Sequence, residues 1–541
     1  IVMWRCRDSF KSQKAKSRDH LFTDDTSIFF ERNIMIKNIL ELLEHKSITI
    51  GESTVLECGE SALTYSELRD TARTIAVCIN NEVKQKNKPI AVLIDRNIES
   101  IVSFFGTLYS GNFYVPIDSS MPEERQEKIL DALRTEVIIN TTENLSKELC
   151  KRLGITVLDY KTISKSSISD EESKVIDKIM DESIDTDPVY SMFTSGSTGI
   201  PKGVLVSHRS LIDLVSQFYD TFKFDGSCIF GNQAPFDFDV SVKDIYCTIK
   251  SGGKLVVIPK ELFTMPIKLL DYINSKGINV FIWAVSGLRI LSDFNVFDDY
   301  KAFDHQIKYV MFSGEVMPPK TIRYWTKYIP EATYVNLYGP TEITCNCTYH
   351  IVDKDDMSDT PIPIGKPFKN TRIVLLDENN NPIQEKNKEG ELCVEGSSLA
   401  LGYWNNTEQT AKAFAFRMDI SEYPCRIYKT GDIAAFNDAG ELVFKSRKDF
   451  QIKHMGHRIE LGEIEAAINA LPFIKICCCV FKKDINKIIC YYQGDCENQR
   501  EIVKPLAKAL PKYMWPNRYV KLDSMPMNSH AKIDRKKLEL L

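Results

Sequence analysis

The sequence predicts an α/β protein: a large N-terminal domain of layered α/β subdomains plus a β-rich subdomain, followed by a small α+β C-terminal domain. Three observations predict it. From about residue 33, short apolar runs alternate with amphipathic helical stretches, as layered domains with largely parallel sheets require. After about residue 365 the runs shorten and turn signals multiply. From 450 a further set of strands and helices begins. The expected boundaries are 1–32 for a poorly ordered N-terminal segment, 33–447 for the large domain and 448–541 for the small one.

Residues 1–32 are polar and basic with little periodicity, which predicts poor order. Leu63, Tyr65 and Leu68 open an amphipathic helix after a short strand. Residues 89–94 read as a buried strand and 101–108 as the apolar helix after it. The same rhythm recurs at 155–158, 254–258 and 280–283. Residues 161–187, rich in Ser, Asp, Glu and Lys, read as a surface connection. In the β-rich part, 371–376 and 390–394 are strands, and turn signals at 377–382 and 437–440 predict hairpins.

Composition narrows the function. A chain of 541 residues exceeds one compact core. Its formal charge of -5, with 43% hydrophobic and 26% charged residues, fits a globular protein with no overall pull toward nucleic acid or anionic membranes. No apolar run reaches the length of a membrane span, so no membrane insertion is expected. The first residues, Ile1-Val2-Met3-Trp4-Arg5, lack a signal-peptide pattern and an initiator Met, so the chain is read as a fragment or as starting upstream of the true start. The 15 cysteines lack zinc-like spacing, and Cys477-Cys478-Cys479 sits in an apolar run. Buried thiols in a reducing cytoplasm are the expectation, in a monomer.

The segment Phe193-Thr194-Ser195-Gly196-Ser197-Thr198-Gly199-Ile200-Pro201-Lys202-Gly203 carries the most chemistry. Its glycines permit close backbone approach, and its hydroxyls and lysine offer donors to a polyphosphate. The spacing is not that of a Walker A loop. The apolar run Val204-Leu205-Val206 makes it the start of a strand and not a flexible linker.

This segment resembles the phosphate-binding loop of the adenylate-forming superfamily, which includes acyl-CoA synthetases, luciferases and amino-acid adenylation domains. Further motifs follow in the family's order. Asn336-Leu337-Tyr338-Gly339-Pro340-Thr341-Glu342 resembles the adenine and magnesium motif. Tyr428-Lys429-Thr430-Gly431-Asp432 resembles the ribose motif, and Arg447-Lys448-Asp449 with Arg458 to Glu465 resembles the hinge and its continuation. Lys532-Ile533-Asp534-Arg535 resembles the catalytic-lysine motif. Ser446, Phe113 and the turn Ser529-His530-Ala531 depart from the usual residues there.

The resemblance implies ATP and Mg2+ as cofactors and a mobile C-terminal domain. ATP is expected on Thr194, Ser195, Gly196, Ser197, Thr198, Gly199, Lys202, Asn336, Tyr338, Gly339, Thr341, Asp432 and Arg447. Glu342 and Thr198 are the expected magnesium ligands, Lys532, Thr194 and Glu342 the catalytic set, and Asp449 the hinge. In one orientation Lys532 enters for adenylation; in the other, residues 451–456 face the site for thioester formation.

Within that superfamily, Phe236-Asp237-Phe238-Asp239-Val240-Ser241-Val242 resembles the amino-acid adenylation version, where the aspartate at the Asp239 position pairs with an α-ammonium. The other reading of Asp239 is a helix N-cap. The side-chain pocket is expected from Val240, Lys243, Ile282, Met311, Ser313, Leu337, Cys345 and Asn346. Ile282, Met311 and Leu337 favour a small side chain, whereas Lys243 and Asn346 suit a carboxylate or amide, unless Lys243 snorkels outward. The stretches 232–239 and 312–318 also resemble D-alanine–carrier protein ligases. The expected partners are an amino acid and a phosphopantetheinylated carrier protein acting in trans. The alternatives are an acyl- or aryl-CoA ligase, or a catalytically silent nucleotide-binding relative.

Overall fold

The strand Pro89–Ile94 is buried at every position, so the sheet that holds it must be covered on both faces. A computed structural model describes residues 36–194, 201–300, 306–354, 361–417, 422–496, 498–527 and 533–541. The N-terminal segment 1–32 lies outside the described residues, and Lys37–Leu541 folds as one unit. In it, Pro89–Ile94 runs parallel to Phe113–Asp118 and Val137–Asn140 inside a seven-stranded sheet. The helix Tyr65–Glu82, opened by a Thr64/Glu67 capping box, packs beside the apolar helix Ile98–Tyr109.

That sheet is not wholly parallel. Pro188–Thr194 pairs antiparallel with Lys202–Ser207, so the phosphate-loop segment joins two neighbouring antiparallel strands. The second large sheet has nine strands among the described residues, with Val280–Ala284, Tyr309–Ser313 and Thr333–Tyr338 adjacent and parallel. Their C-terminal ends meet at one edge, where open α/β sheets place their ligands. The β-rich part is an antiparallel sheet led by Thr371–Leu376, Gly390–Gly396 and the long strand Cys425–Phe436.

One expectation fails. The acidic stretch read as a surface connection contains the helix Asp170–Glu182. Ser169 and Glu172 form a capping box, and Ile176 and Ile179 bury its inner face; the charges occupy the solvent side.

At the C-terminal end, Ile474–Lys482, Lys487–Gly494 and Arg518–Lys521 form a three-stranded sheet covered by Leu461–Asn469 and Gln499–Ala509. Strand alternation sends Cys477 and Cys479 into that core and Cys478 into a second cluster with Val480 and Leu538. The cysteines among the described residues are free thiols. Among the described residues no helix is long and apolar enough to cross a membrane.

His208, at the start of the helix His208–Phe222, is 4% exposed, and its Nδ1 accepts from the backbone N–H of Ile39 at 3.1 Å. Burial pulls its pKa down to about 4. The folded chain therefore keeps it neutral while the unfolded chain protonates near 6.5. Its stabilising contribution is complete above 6.5 and is lost as the pH falls through 4. The shift corresponds to about 3 kcal/mol. His208→Asn, which keeps an acceptor beside Ile39, should show a smaller loss of stability between about pH 7 and pH 4 in urea titrations. An unchanged pH dependence would remove His208 as its source.

Candidate active site

A cavity opens at the edge where the sheets end. Its wall includes Thr194, Asp239, Val240, Ser313, Gly339, Thr341, Cys345, Asn346, Asp432 and Arg447, all expected from the sequence. Gly339 is there because space demands it: a Cβ would collide with the carbonyl of Cys345 and lie 2.7 Å from the Cα of Asn346. Thr344 and Cys345 follow with φ of 57° and 76°, a strained pair that turns Asn346 toward the cavity.

Glu342, in the short turn Thr341–Ile343, has no exposed surface. Its Oε1 accepts from the Tyr403 hydroxyl at 2.8 Å, its Oε2 accepts from Arg458 at 2.6 Å, and Lys202 Nζ stands 4.0 Å away. Burial by itself raises the carboxyl, but the charges of Arg458 and Lys202 outweigh it and hold the pKa at about 2. The group is therefore ionised throughout the neutral range. Its ionic contribution to stability is present above the ordinary carboxylate range and lost only as the pH falls through 2.

Asp432 is 2% exposed and lies on the strand Cys425–Phe436. Its Oδ1 accepts from Arg447 at 2.6 Å and its Oδ2 from the Tyr338 hydroxyl at 2.5 Å. Arg447 also grips Asp449 with two donors, at 2.6 and 2.8 Å. Asp432, Arg447 and Asp449 thus form one charged chain, and Lys448 N–H closes it on Gly431 O at 2.8 Å. Gly431 has φ of 73°, which favours glycine at this corner.

Asp239 precedes the helix Val240–Ser251 but makes no capping hydrogen bond, so the N-cap reading does not describe it. Burial raises its carboxyl pKa, opposed by Thr341 and Lys243. Lys243 does not snorkel outward: it is fully buried, and its Nζ donates to Asn346 Oδ1 at 2.7 Å.

Other expected residues stand elsewhere. Ile282, Met311 and Leu337 are buried in the sheet behind the cavity and do not form its wall. Strand alternation puts Met311 and Ser313 on one face, but only Ser313, at the strand end, reaches the opening. Asn336 donates to Pro363 O at 2.8 Å and also stays off the wall. The Tyr338 ring is engaged by Lys453, whose Nζ lies 5.5 Å from its centroid. Ser195, Gly196, Ser197, Thr198, Gly199 and Lys532 lie outside the described residues.

The hairpin Gln451–His454 with His457–Glu460 turns at Met455 and Gly456, both left-handed as a tight hairpin requires. It brings Lys453, Gly456 and Arg458 to the cavity, and Gly456 N–H donates to Glu315 at 2.6 Å. Behind it Arg125, on Glu123–Leu133, meets Glu463, on Leu461–Asn469, at 2.6 Å with 6% and 2% of their side chains exposed. The sequence does not single out Tyr403 or Arg125, which no local pattern marks; Glu463 falls within the run Arg458 to Glu465, where it carries no role of its own.

Comparison with known proteins identifies the family. The AMP-binding enzyme family matches residues 44–404. D-alanine–D-alanyl carrier protein ligase of Staphylococcus aureus is 32% identical over 489 residues, which is 88% of this chain and 93% of that protein. Gramicidin S synthase 2 of Brevibacillus brevis is 32% identical over 509 residues; the match takes in 93% of this chain but spans only 11% of that protein. A solved peptide-synthetase protein with adenylation and carrier domains, bound to a vinylsulfonamide inhibitor, superposes with a TM-score of 0.79 at 23% identity, covering 93% of this chain and 84% of that one. The chain belongs to the AMP-binding enzyme family of adenylate-forming proteins.

Proposed function

We propose that the chain activates an amino acid with ATP and passes the aminoacyl group to the phosphopantetheine thiol of a carrier protein. In the first step a substrate carboxylate oxygen attacks the α-phosphorus, the α–β bond breaks and pyrophosphate leaves. In the second, the thiol sulfur attacks the acyl carbon and AMP leaves. The observation that carries this reading is the pairing across one cavity of a polar-diol site, Asp432 with Arg447, and an uncapped carboxylate, Asp239. Asp432 retains lone pairs for ribose hydroxyls, and Asp239 supplies the counter-charge for an α-ammonium.

Magnesium fits the chemistry of Glu342, a buried and ionised oxygen donor, with Thr198 as its companion. Bound there, it would neutralise phosphate charge. The arrangement with Lys453 and Arg458 at the cavity is the one we assign to thioester formation, with the domain boundary near Lys448. Adenylation belongs to the orientation that brings in Lys532.

Amino-acid-dependent ATP–pyrophosphate exchange tests this function. Lys532→Ala should abolish exchange while ATP binding persists, because a cation positioned on the departing charge acts in the transition state. Full exchange in that variant would remove the lysine's role. Exchange absent for every amino acid, with acyl-CoA formed from an amine-free acid, would replace the reading with a CoA ligase.

A further inference from the structure

The second reaction sets free a proton that none of the residues assigned above receives: the thiol loses it as sulfur bonds to the acyl carbon. Asp237 stands where such a proton can go. The strand Ile229–Asn232 leads into a turn closed by Phe238 N–H on Pro235 O at 3.1 Å. Phe236 anchors that turn, buried and edge-on to Phe104, while Asp237, Phe238 and Asp239 line the cavity. Asp237 Oδ1 is shut off from solvent, and among the described residues it accepts no hydrogen bond. A buried oxygen with unused lone pairs is costly unless something donates to it.

The C-terminal unit closes over this carboxyl. The His457 ring meets Phe238 edge-on at 4.6 Å and stacks on Tyr513 at 3.6 Å, and Tyr513 lines the cavity with Asp237. Among the described residues the groups facing Asp237 are Asp118 at the end of Phe113–Asp118, Arg125 on Glu123–Leu133, Lys260 in the turn Lys260–Thr264, and Tyr513. Burial first, and then the charge of Asp118, outweigh Arg125 and Lys260 and lift the carboxyl to about 7. At neutral pH it is partly ionised and holds a proton better than an ordinary carboxylate does.

The other candidates are engaged or closed. Asp432 accepts from Arg447 and Tyr338, and Asp239 is the counter-charge of the α-ammonium. Burial pushes the Cys345 thiol up to about 12 and the Tyr513 phenol higher still, so both keep their own protons. Glu342, Glu463 and His457 do not line the cavity.

We propose that Asp237 is the proton acceptor for the attacking thiol, a role that rests on the reading of thioester formation above. The S–H bond breaks toward Asp237 Oδ1 as sulfur joins the acyl carbon. The bond from the acyl carbon to the phosphate oxygen breaks, and AMP leaves with its electron pair. Asp237 returns the proton to water when the C-terminal unit parts from the large domain.

The test is single-turnover transfer to free pantetheine, followed against pH with the intact chain. It starts from the aminoacyl-adenylate of whichever amino acid supports pyrophosphate exchange. Wild-type rates should rise through about pH 7 and then level off, because only the ionised carboxyl accepts. Asp237→Asn should slow transfer at neutral pH by about 10²-fold. It should also lose the inflection, its rate climbing until the thiol ionises by itself near about pH 8.5. Asp237→Glu should restore the inflection, whereas a merely structural carboxyl would change the rate without reshaping the profile. Profiles of one shape in wild type and Asp237→Asn, or a wild-type rate that tracks thiol ionisation without levelling, would overturn the inference and leave activation and transfer standing. The wild-type profile decides the matter even should the variants fold poorly. No adenylate, or no transfer to the thiol at any pH, would overturn the reading beneath it.

Discussion

Glu342→Gln is expected to lower adenylate formation by roughly 10²- to 10³-fold, the scale of losing one preorganised electrostatic group. The amide keeps the shape and can still accept from Tyr403, but it removes the charge that Arg458 and Lys202 face. Removing one partner of a buried pair costs about 3–5 kcal/mol. Arg458 rides on a hairpin and can withdraw to water, so the stability loss should fall near the lower end. Urea denaturation and pyrophosphate exchange on the same preparations measure the two effects separately. Wild-type exchange in the variant would show that the carboxylate takes no part in the reaction.

Asp239→Asn is expected to raise the KM for the amino acid by roughly 10²- to 10³-fold while ATP affinity stays within a few-fold. Losing one half of a desolvated charge pair costs about 2–5 kcal/mol, and every ~1.4 kcal/mol is tenfold. Asp239 makes no capping bond, so its helix should not suffer. Asp432 and Arg447 pair with each other and not with Asp239, so the change leaves that pair in place. Calorimetric titration of ATP beside exchange kinetics tests the split. An equal loss for ATP would mean that Asp239 shapes the whole cavity and not the ammonium site alone.

Much of the site is legible in the sequence because its parts are short contiguous motifs at strand ends. Asn336 to Glu342 and Tyr428 to Asp432 each run off one strand, so residue order translates directly into position. The hidden parts are contacts between distant segments. Tyr403 reaches Glu342 across 61 residues, Arg458 reaches it across 116, and Arg125 finds Glu463 across 338. Nothing periodic in a sequence encodes such pairs. Ile282, Met311 and Leu337 stay off the cavity wall for a related reason: they belong to the right strands, but they lie below the ends that open on the cavity. The helix Asp170–Glu182 escapes a reading by composition because its charges mask two inward isoleucines.

The Arg125–Glu463 pair has a mechanical consequence. An interface sealed by leucines would expose oily surface on parting and resist it in proportion to area. One sealed by opposite ions returns both to water, and their rehydration offsets most of the attraction given up. Helices Glu123–Leu133 and Leu461–Asn469 are therefore joined by a clasp that dictates alignment while storing little net energy. Such a clasp can be opened and refastened without a deep trap on either side.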